Sequence, residues 1–165
     1  MAFWTDGALE PTRKYRFAVS TVGYLPKDYW YVKSVDKPTF EVNSNSYQLT
    51  NHKFKYPGIL TWNDVSLVIV DTGGKAKETL DMAFGLGYSL PDSGTKEEGM
   101  AKGGDGGSKP MQLVIEQLDA KGEPLETWTL YGAFINSVDF GKLAYSDDDL
   151  VEISLGISYD YAKFS

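Results

Sequence analysis

The segment from Val151 to Tyr161 alternates so regularly that it predicts one long β-strand with two chemically different faces. Successive side chains of a strand point to opposite sides of its sheet, so one face is apolar and the other is polar. The apolar face consists of Val151, Ile153, Leu155, Ile157, Tyr159 and Tyr161. The polar face consists of Glu152, Ser154, Gly156, Ser158 and Asp160. We therefore expect the first face to pack on a core and the second to meet water.

Length and composition favour one soluble globular domain that spans residues 1–165. Hydrophobic residues make up 42% and aromatic residues 14%, which argues against disorder. No segment approaches the roughly 18 to 20 consecutive apolar residues of a membrane helix. The absence of cysteine excludes disulfides and thiolate metal sites. The first residues, MAFWTDGALEP, lack the basic start and apolar run of a signal peptide, which predicts synthesis in the cytoplasm.

The net charge of -7 argues against nucleic-acid binding, because that binding depends on Lys and Arg neutralising phosphates. Basic residues are nevertheless grouped, with Arg13, Lys14 and Arg16 near the start and Lys53 and Lys55 in mid-chain. Two interpretations stay open. These groups are ordinary solvated charges, or they complement an acidic neighbour.

Local patterns predict a mainly β chain with one flanking helix. Ala76, Leu80 and Phe84 recur at helical spacing and predict an amphipathic helix over Lys75–Phe84. The Asn43–Ser46 segment is a turn signal, and residues 50–63 read as a long aromatic loop. Residues 1–12 read as an extended arm, and the Gly-rich residues 88–110 as a variable loop of unknown role. Strands are predicted at Lys14–Val22, Tyr29–Val35, Asp64–Asp71, Met111–Leu118, Glu126–Phe134 and Val151–Tyr161, with short pieces at Phe40–Val42 and Tyr47–Leu49.

No enzyme motif is present, so we predict neither catalysis nor a cofactor. His52 is the only histidine, which excludes histidine metal clusters, and there is no P-loop or G-x-S-x-G elbow. The run Asp147–Asp149 lacks the spacing of a calcium loop and is predicted to be a solvated turn. The glycine-rich stretch 103–107 occurs once, whereas calcium-binding glycine repeats work by repetition.

Aromatic residues are dense in segments that a small monomer would not bury. Apolar groups of this size usually mark a protein contact, although a loop that folds back over its own sheet is the alternative. The predicted oligomer-interface residues are Phe3, Trp4, Phe54, Tyr56, Ile59, Leu60 and Trp62.

Several blocks together resemble the tail tube proteins of contractile-tailed bacteriophages. They are KYRFAVS, WYVKSVDKPTFEV, YQLTNHKFKYPGILTWNDVSLVIVD, and the closing ETWTLYGAFINSVDFGKLAYSDDDLVEISLGISYDYAKF. The resemblance implies a β-sandwich or barrel-like subunit with a flanking helix and a long stacking loop. It also implies hexameric rings stacked into a hollow tube, a sheath outside, and DNA and a tape measure protein inside. Baseplate and tail terminator proteins would be further partners, in a virion assembled in the host cytoplasm.

The resemblance gives the polar face of the last strand a role. Glu152, Ser154, Gly156, Ser158 and Asp160 would line the tube lumen, where small and acidic groups do not hold a polyanion. The loop from Asn51 to Trp62 would reach the neighbouring ring.

Three alternatives stay open. The chain is a baseplate-proximal ring protein, or a tube subunit of a type VI or extracellular injection system. The alternative from a different class is a monomeric β-sandwich that binds carbohydrate through Trp4, Trp30 and Trp62.

Overall fold

The computed structural model describes residues 11–22, 31–88, 90–91, 100–102 and 111–165. The first half of this part contains β1 (Phe17–Val22), β2 (Val32–Val35), β3 (Phe40–Leu49), β4 (His52–Trp62), β5 (Val65–Val70) and one helix, α1 (Lys75–Phe84). The second half contains β6 (Met111–Leu118), β7 (Pro124–Asp139), β8 (Glu152–Ser158) and β9 (Tyr161–Phe164). The prediction of a mainly β chain with one helix is therefore confirmed.

Seven of these strands form one antiparallel sheet in the order β1-β6-β7-β8-β5-β2, with β9 also paired to β7. The 16-residue strand β7 joins its two halves, because β6 and β9 pair with its first part and β8 pairs with its second. Gly132 lies where the pairing changes and has a φ of 64°. A side chain at this position would be strained and would collide with the Asp160 carboxylate, so the position requires glycine.

Both halves of the sheet contribute to a single hydrophobic core. Its most deeply buried members include Leu113 and Leu130 from one half and Val65, Ile153 and Ile157 from the other. Met111, Leu113, Ile115 and Gln117 of β6 are buried while the residues between them are half-buried, as the period of a strand requires. The core thus holds together the two parts that β7 connects.

The alternation predicted for the last strand is confirmed within β8. Ile153, Leu155 and Ile157 are buried, and Ser154 between them is exposed. The predicted length is wrong, because the strand ends at Ser158 and the chain bends before β9 begins at Tyr161. Tyr161 is consequently exposed instead of buried, and its ring stacks on Tyr131 of β7 at a centroid distance of 5.0 Å.

The prediction of a loop over residues 50–63 is wrong. Most of this segment is β4, which pairs with β3 along nearly its whole length as a two-stranded antiparallel hairpin. The turn lies at Thr50 and Asn51 instead of Asn43–Ser46, and Thr50 adopts a φ of 46°. Polar Asn and Ser residues are tolerated in β3 because both of its faces are exposed, so alternation gives no signal there.

The bounds predicted for α1 are correct, but only part of the predicted apolar face packs against the core. Thr79 is buried, and Ala76 and Met82 pack against the core, whereas Leu80 is exposed. The helix therefore presents a small, partly polar stripe to the sheet. No helix within the described ranges is long and apolar enough to cross a membrane. The predicted arm 1–12 and variable loop 88–110 fall mainly outside the described residues.

Candidate functional site

The hairpin of β3 and β4 carries eight large hydrophobic side chains that are exposed in the described structure. Every residue of β3 is exposed, and in β4 only Gly58 and Trp62 are half-buried. Its large hydrophobic side chains, each at least 45% exposed, are Phe40, Val42, Tyr47, Leu49, Phe54, Tyr56, Ile59 and Leu60. Monomeric proteins rarely leave an apolar patch of this extent in water, so the hairpin is a candidate interface.

Cross-strand pairing gives the outer half of the hairpin two different faces. Tyr47 lies opposite Phe54, and Asn45 lies opposite Tyr56, which puts the aromatic rings on one face. Lys53 and Lys55 lie opposite Gln48 and Ser46 and occupy the other face. Nearer the base the register shifts between the Val42–Leu60 and Ser44–Pro57 pairs, and this β-bulge interrupts the alternation in β4.

Trp62 links the base of the hairpin to the bend that follows β8. The Trp62 ring meets Phe40 edge to face at 5.3 Å and lies 6.0 Å from the ring of Tyr159. Burial, and next the charge of Asp64, raise the pKa of Tyr159 above its ordinary value, so this phenol stays protonated at neutral pH. Trp62 therefore anchors the hairpin, whereas the predicted interface residues Phe54, Tyr56, Ile59 and Leu60 are available for contact. Phe3 and Trp4 lie outside the described residues.

The predicted lumen residues differ in their exposure and in their contacts. Ser154 is exposed, whereas Glu152 forms an ion pair with Lys33 and Gly156 lies beneath Asn136 and Ser137. Asp160 lies in the bend after β8, where it accepts a hydrogen bond from the Lys102 ammonium.

Ser158 belongs to a hydrogen-bonded cluster with Asp64 and Asn136. Its hydroxyl donates to Asp64 Oδ1 at 2.7 Å, while Asn136 Nδ2 donates to Ser158 Oγ at 2.8 Å and to Asp64 Oδ2 at 2.7 Å. The cluster satisfies the polar atoms where β5, β7 and β8 meet.

A shallow acidic groove of about 420 Å³ runs beside Ser154. Three carboxylates line it together with hydroxyl groups from β5, β7 and β8; these residues are Asp36, Asp64, Asp139, Ser66, Ser137 and Ser154. Sequence patterns did not indicate the three aspartates, because each lies at or just outside the end of a strand, and only the fold brings β2, β5, β7 and β8 into one sheet. Within the described ranges, no group of three or more His, Cys, Asp or Glu residues is arranged to hold a metal ion.

Comparison with known proteins identifies the fold. A chain in the sheath-tube complex of the extracellular contractile injection system PVC superposes with a TM-score of 0.69 at 20% identity, covering 94% of this chain and 91% of that one. A chain in the tube terminating cap of the anti-feeding prophage gives 0.69 at 17% identity, covering 100% and 99%. This chain has the tail tube fold.

A chain in the 6-fold symmetrised baseplate of the anti-feeding prophage is also similar, with a TM-score of 0.64 and 16% identity over 94% of this chain and 96% of that one. No protein-family model matches the sequence. No curated protein matches it either. The resemblance to tail tube proteins is therefore confirmed at the level of the fold.

Proposed function

We propose that the chain is a structural subunit that assembles into hexameric rings, stacked as the inner tube of a contractile tail or injection machine. The observation that carries this proposal is the exposed hairpin of β3 and β4, which leaves eight large hydrophobic side chains in water. The similar chains belong to a sheath-tube complex, a tube terminating cap and a 6-fold symmetrised baseplate.

The energetics of a hairpin favour assembly. A two-stranded hairpin in water is marginally stable at best, because it has no third strand or packed face to support it. Contact with another copy would bury apolar surface at about 25 cal/mol per Å² before ordering costs and would cover the free edges of β3 and β4. A repeated contact between two different surfaces of the subunit generates either a closed ring or an open filament. A tube of stacked rings needs one such contact within each ring and another between successive rings.

The polar side of β8 supports a lumen that does not bind its cargo. Ser154 is exposed beside the acidic groove, and the whole chain carries a net charge of -7. Such a surface repels phosphate, so DNA would pass without sticking. In this arrangement a sheath surrounds the tube, the tape measure protein and DNA occupy the lumen, and baseplate and terminator proteins cover its ends.

Electron microscopy of the purified protein tests the proposal. We expect negative-stain images to show ring-shaped particles, or hollow rods whose number grows with protein concentration. Particles with the mass of one chain at every concentration would contradict it. A baseplate-proximal ring protein would form single rings without rods, which separates that alternative from the main tube subunit.

A second experiment tests passage of DNA. Ser154 and Ser66 are exposed on adjacent strands, β8 and β5, so Ser154→Lys with Ser66→Lys adds positive charge to the polar side without disturbing the core. We expect tubes to form and DNA delivery to fall, because lysines attract phosphate. The control is Ser154→Asn with Ser66→Asn, which changes shape but not charge. Unchanged delivery by the lysine variant would reject the lumen assignment and would favour a tube that carries another cargo.

The structure offers less support for a monomeric carbohydrate-binding module. Such a site needs open aromatic faces, yet Trp62 is half-buried and packs against Phe40 and Tyr159. Trp4 and Trp30 lie outside the described residues.

A further inference from the structure

The hairpin and the segment 140–150 leave opposite ends of the same half of the sheet. β5 pairs with β8 so that Val65 lies opposite Ile157 at one end and Val70 lies opposite Glu152 at the other. The hairpin joins the first end through Asn63, whose backbone N–H donates to the carbonyl of Thr39 at 2.9 Å. Segment 140–150 connects β7 to β8 at the second end. Two copies stacked head to tail would therefore bring a hairpin toward this segment.

The tip of the hairpin is basic on one face. Lys53 and Lys55 are exposed there, and neither has an ion-pair partner within the described residues. The only acidic residue of β3 and β4 is Glu41, which lies opposite Thr61 near the base. The tip thus carries uncompensated positive charge on a chain whose net charge is -7.

Segment 140–150 has the complementary character. All of its residues are exposed, including Leu143, Tyr145 and Leu150 and the run Asp147–Asp149. The Asp149 backbone N–H donates to Asp147 Oδ1 at 3.1 Å, a short turn that leaves the Asp148 and Asp149 carboxylates without an ion pair among the described residues. Lys142 is its single basic residue, so the segment is acidic with apolar flanks.

We propose that the basic face of the hairpin tip docks on the Asp147–Asp149 segment of a second copy in the next ring. This docking rests on the proposed tube function and names the surface that receives the hairpin. Opposite charges would make all rings stack in the same direction. If one ring were inverted, its acidic segments would face the acidic segments of the neighbouring ring and repel them. The aromatic face of the tip, with Tyr47 and Phe54, remains available to bury apolar surface beside the charged contact.

Charge reversal with rescue tests the docking. Lys53→Glu with Lys55→Glu reverses the hairpin, and Asp148→Lys with Asp149→Lys reverses the segment while keeping the Asp147 turn. We expect each variant to stay folded by circular dichroism and to raise the critical concentration for tube formation at least about tenfold. The variant that carries all four changes restores attraction, so its critical concentration returns toward that of the wild type.

Matched controls separate the local contact from net charge. Lys121→Glu with Lys163→Glu changes net charge as the hairpin variant does, but at exposed sites in the β6–β7 turn and in β9, outside both docking surfaces, and we expect normal tubes. Adding Asp81→Lys and Glu123→Lys to the hairpin variant restores net charge without restoring the contact, so we expect no rescue.

The outcomes distinguish this docking from the tube function itself. The docking would be overturned, and the tube proposal left intact, if the wild type formed tubes and charge reversal did not change the critical concentration. The same conclusion would follow if the four-change variant had a critical concentration as high as that of either two-change variant. Wild-type protein that never assembles would overturn both. Salt gives an independent check: 0.5 M NaCl shortens the Debye length to about 4 Å, so wild-type tubes should become shorter or fewer, and indifference to salt would contradict the docking.

Discussion

Replacing Leu155 by alanine tests the two-faced character of β8, on which the core and lumen assignments both depend. Leu155 is 4% exposed and pairs with Leu67 and Val138 on neighbouring strands. Leu→Ala changes at buried sites cost about 2.7 to 5 kcal/mol, the sum of lost transfer energy and a residual cavity. A domain is stable by about 5 to 15 kcal/mol, so this single change removes a large part of the total.

The assay is urea and thermal unfolding followed by circular dichroism, at a concentration where the protein is not assembled. For a chain of this size 1 kcal/mol shifts Tm by roughly 2 to 4 °C, so we expect Tm to fall by about 5 to 20 °C. Ser154→Ala is the matched control on the opposite face, and its effect should stay within about 0.5 kcal/mol. Equal effects of the two changes, or a larger effect at Ser154, would refute the assignment of the faces.

Three further predictions concern Gly132, a turn and the hairpin. Gly132→Ala should lower Tm more than Gly122→Ala, because both have positive φ but only the first would meet the Asp160 carboxylate; equal losses in thermal unfolding would contradict this. Hydrogen bonds from backbone N–H groups, first that of Glu123 and then that of Lys121, hold the pKa of Asp119 below its ordinary value. The ionised Asp119 carboxylate should therefore stabilise this turn above the pKa that Asp119 has in the unfolded chain. That stabilisation should be lost as the pH falls through the lower pKa of the folded state. An NMR titration in which Asp119 has a normal or raised pKa would disprove this. Tyr56→Ala should leave subunit Tm within about 2 °C and impair tube formation, and unchanged tube length in micrographs would count against the interface.

Strands with one buried face could be predicted from the sequence because burial imposes a period of two. Met111–Leu118 was predicted with the observed bounds, and the β8 faces follow the predicted alternation. The bend after Ser158 could not be predicted because Tyr159 and Tyr161 continue the apolar pattern of β8. Only the structure shows that Tyr161 pairs with Tyr131 in the first part of β7, whereas β8 pairs with the second part.

The hairpin could not be predicted because it lacks a buried face of its own. Neither strand alternates by burial, so Asn43–Ser46 resembled a turn and the aromatic residues of β4 resembled a loop. Phe54 and Tyr56 could still be predicted as candidate contact residues, because exposed apolar side chains of this size indicate a partner whatever the backbone conformation; that contact stays a prediction.

The acidic groove depends on tertiary structure in the same way. Asp36, Asp64 and Asp139 are separated by many residues and converge only when β2, β5, β7 and β8 are adjacent. No local pattern connects them. By contrast, Lys53 and Lys55 could be predicted as a candidate complement to an acidic neighbour, because they form a group of positive charges on an acidic chain, although ordinary solvated charges remained the alternative.

Hydrogen–deuterium exchange on the hairpin tests the central claim most directly, namely that another copy covers β3 and β4. We expect amides of Phe40–Trp62 to exchange rapidly in dilute, unassembled protein and to become strongly protected when the protein assembles, while the core amides of β8 stay protected in both states. Hairpin exchange that is the same in both states would contradict the account, as would a hairpin already protected in a particle with the mass of one chain.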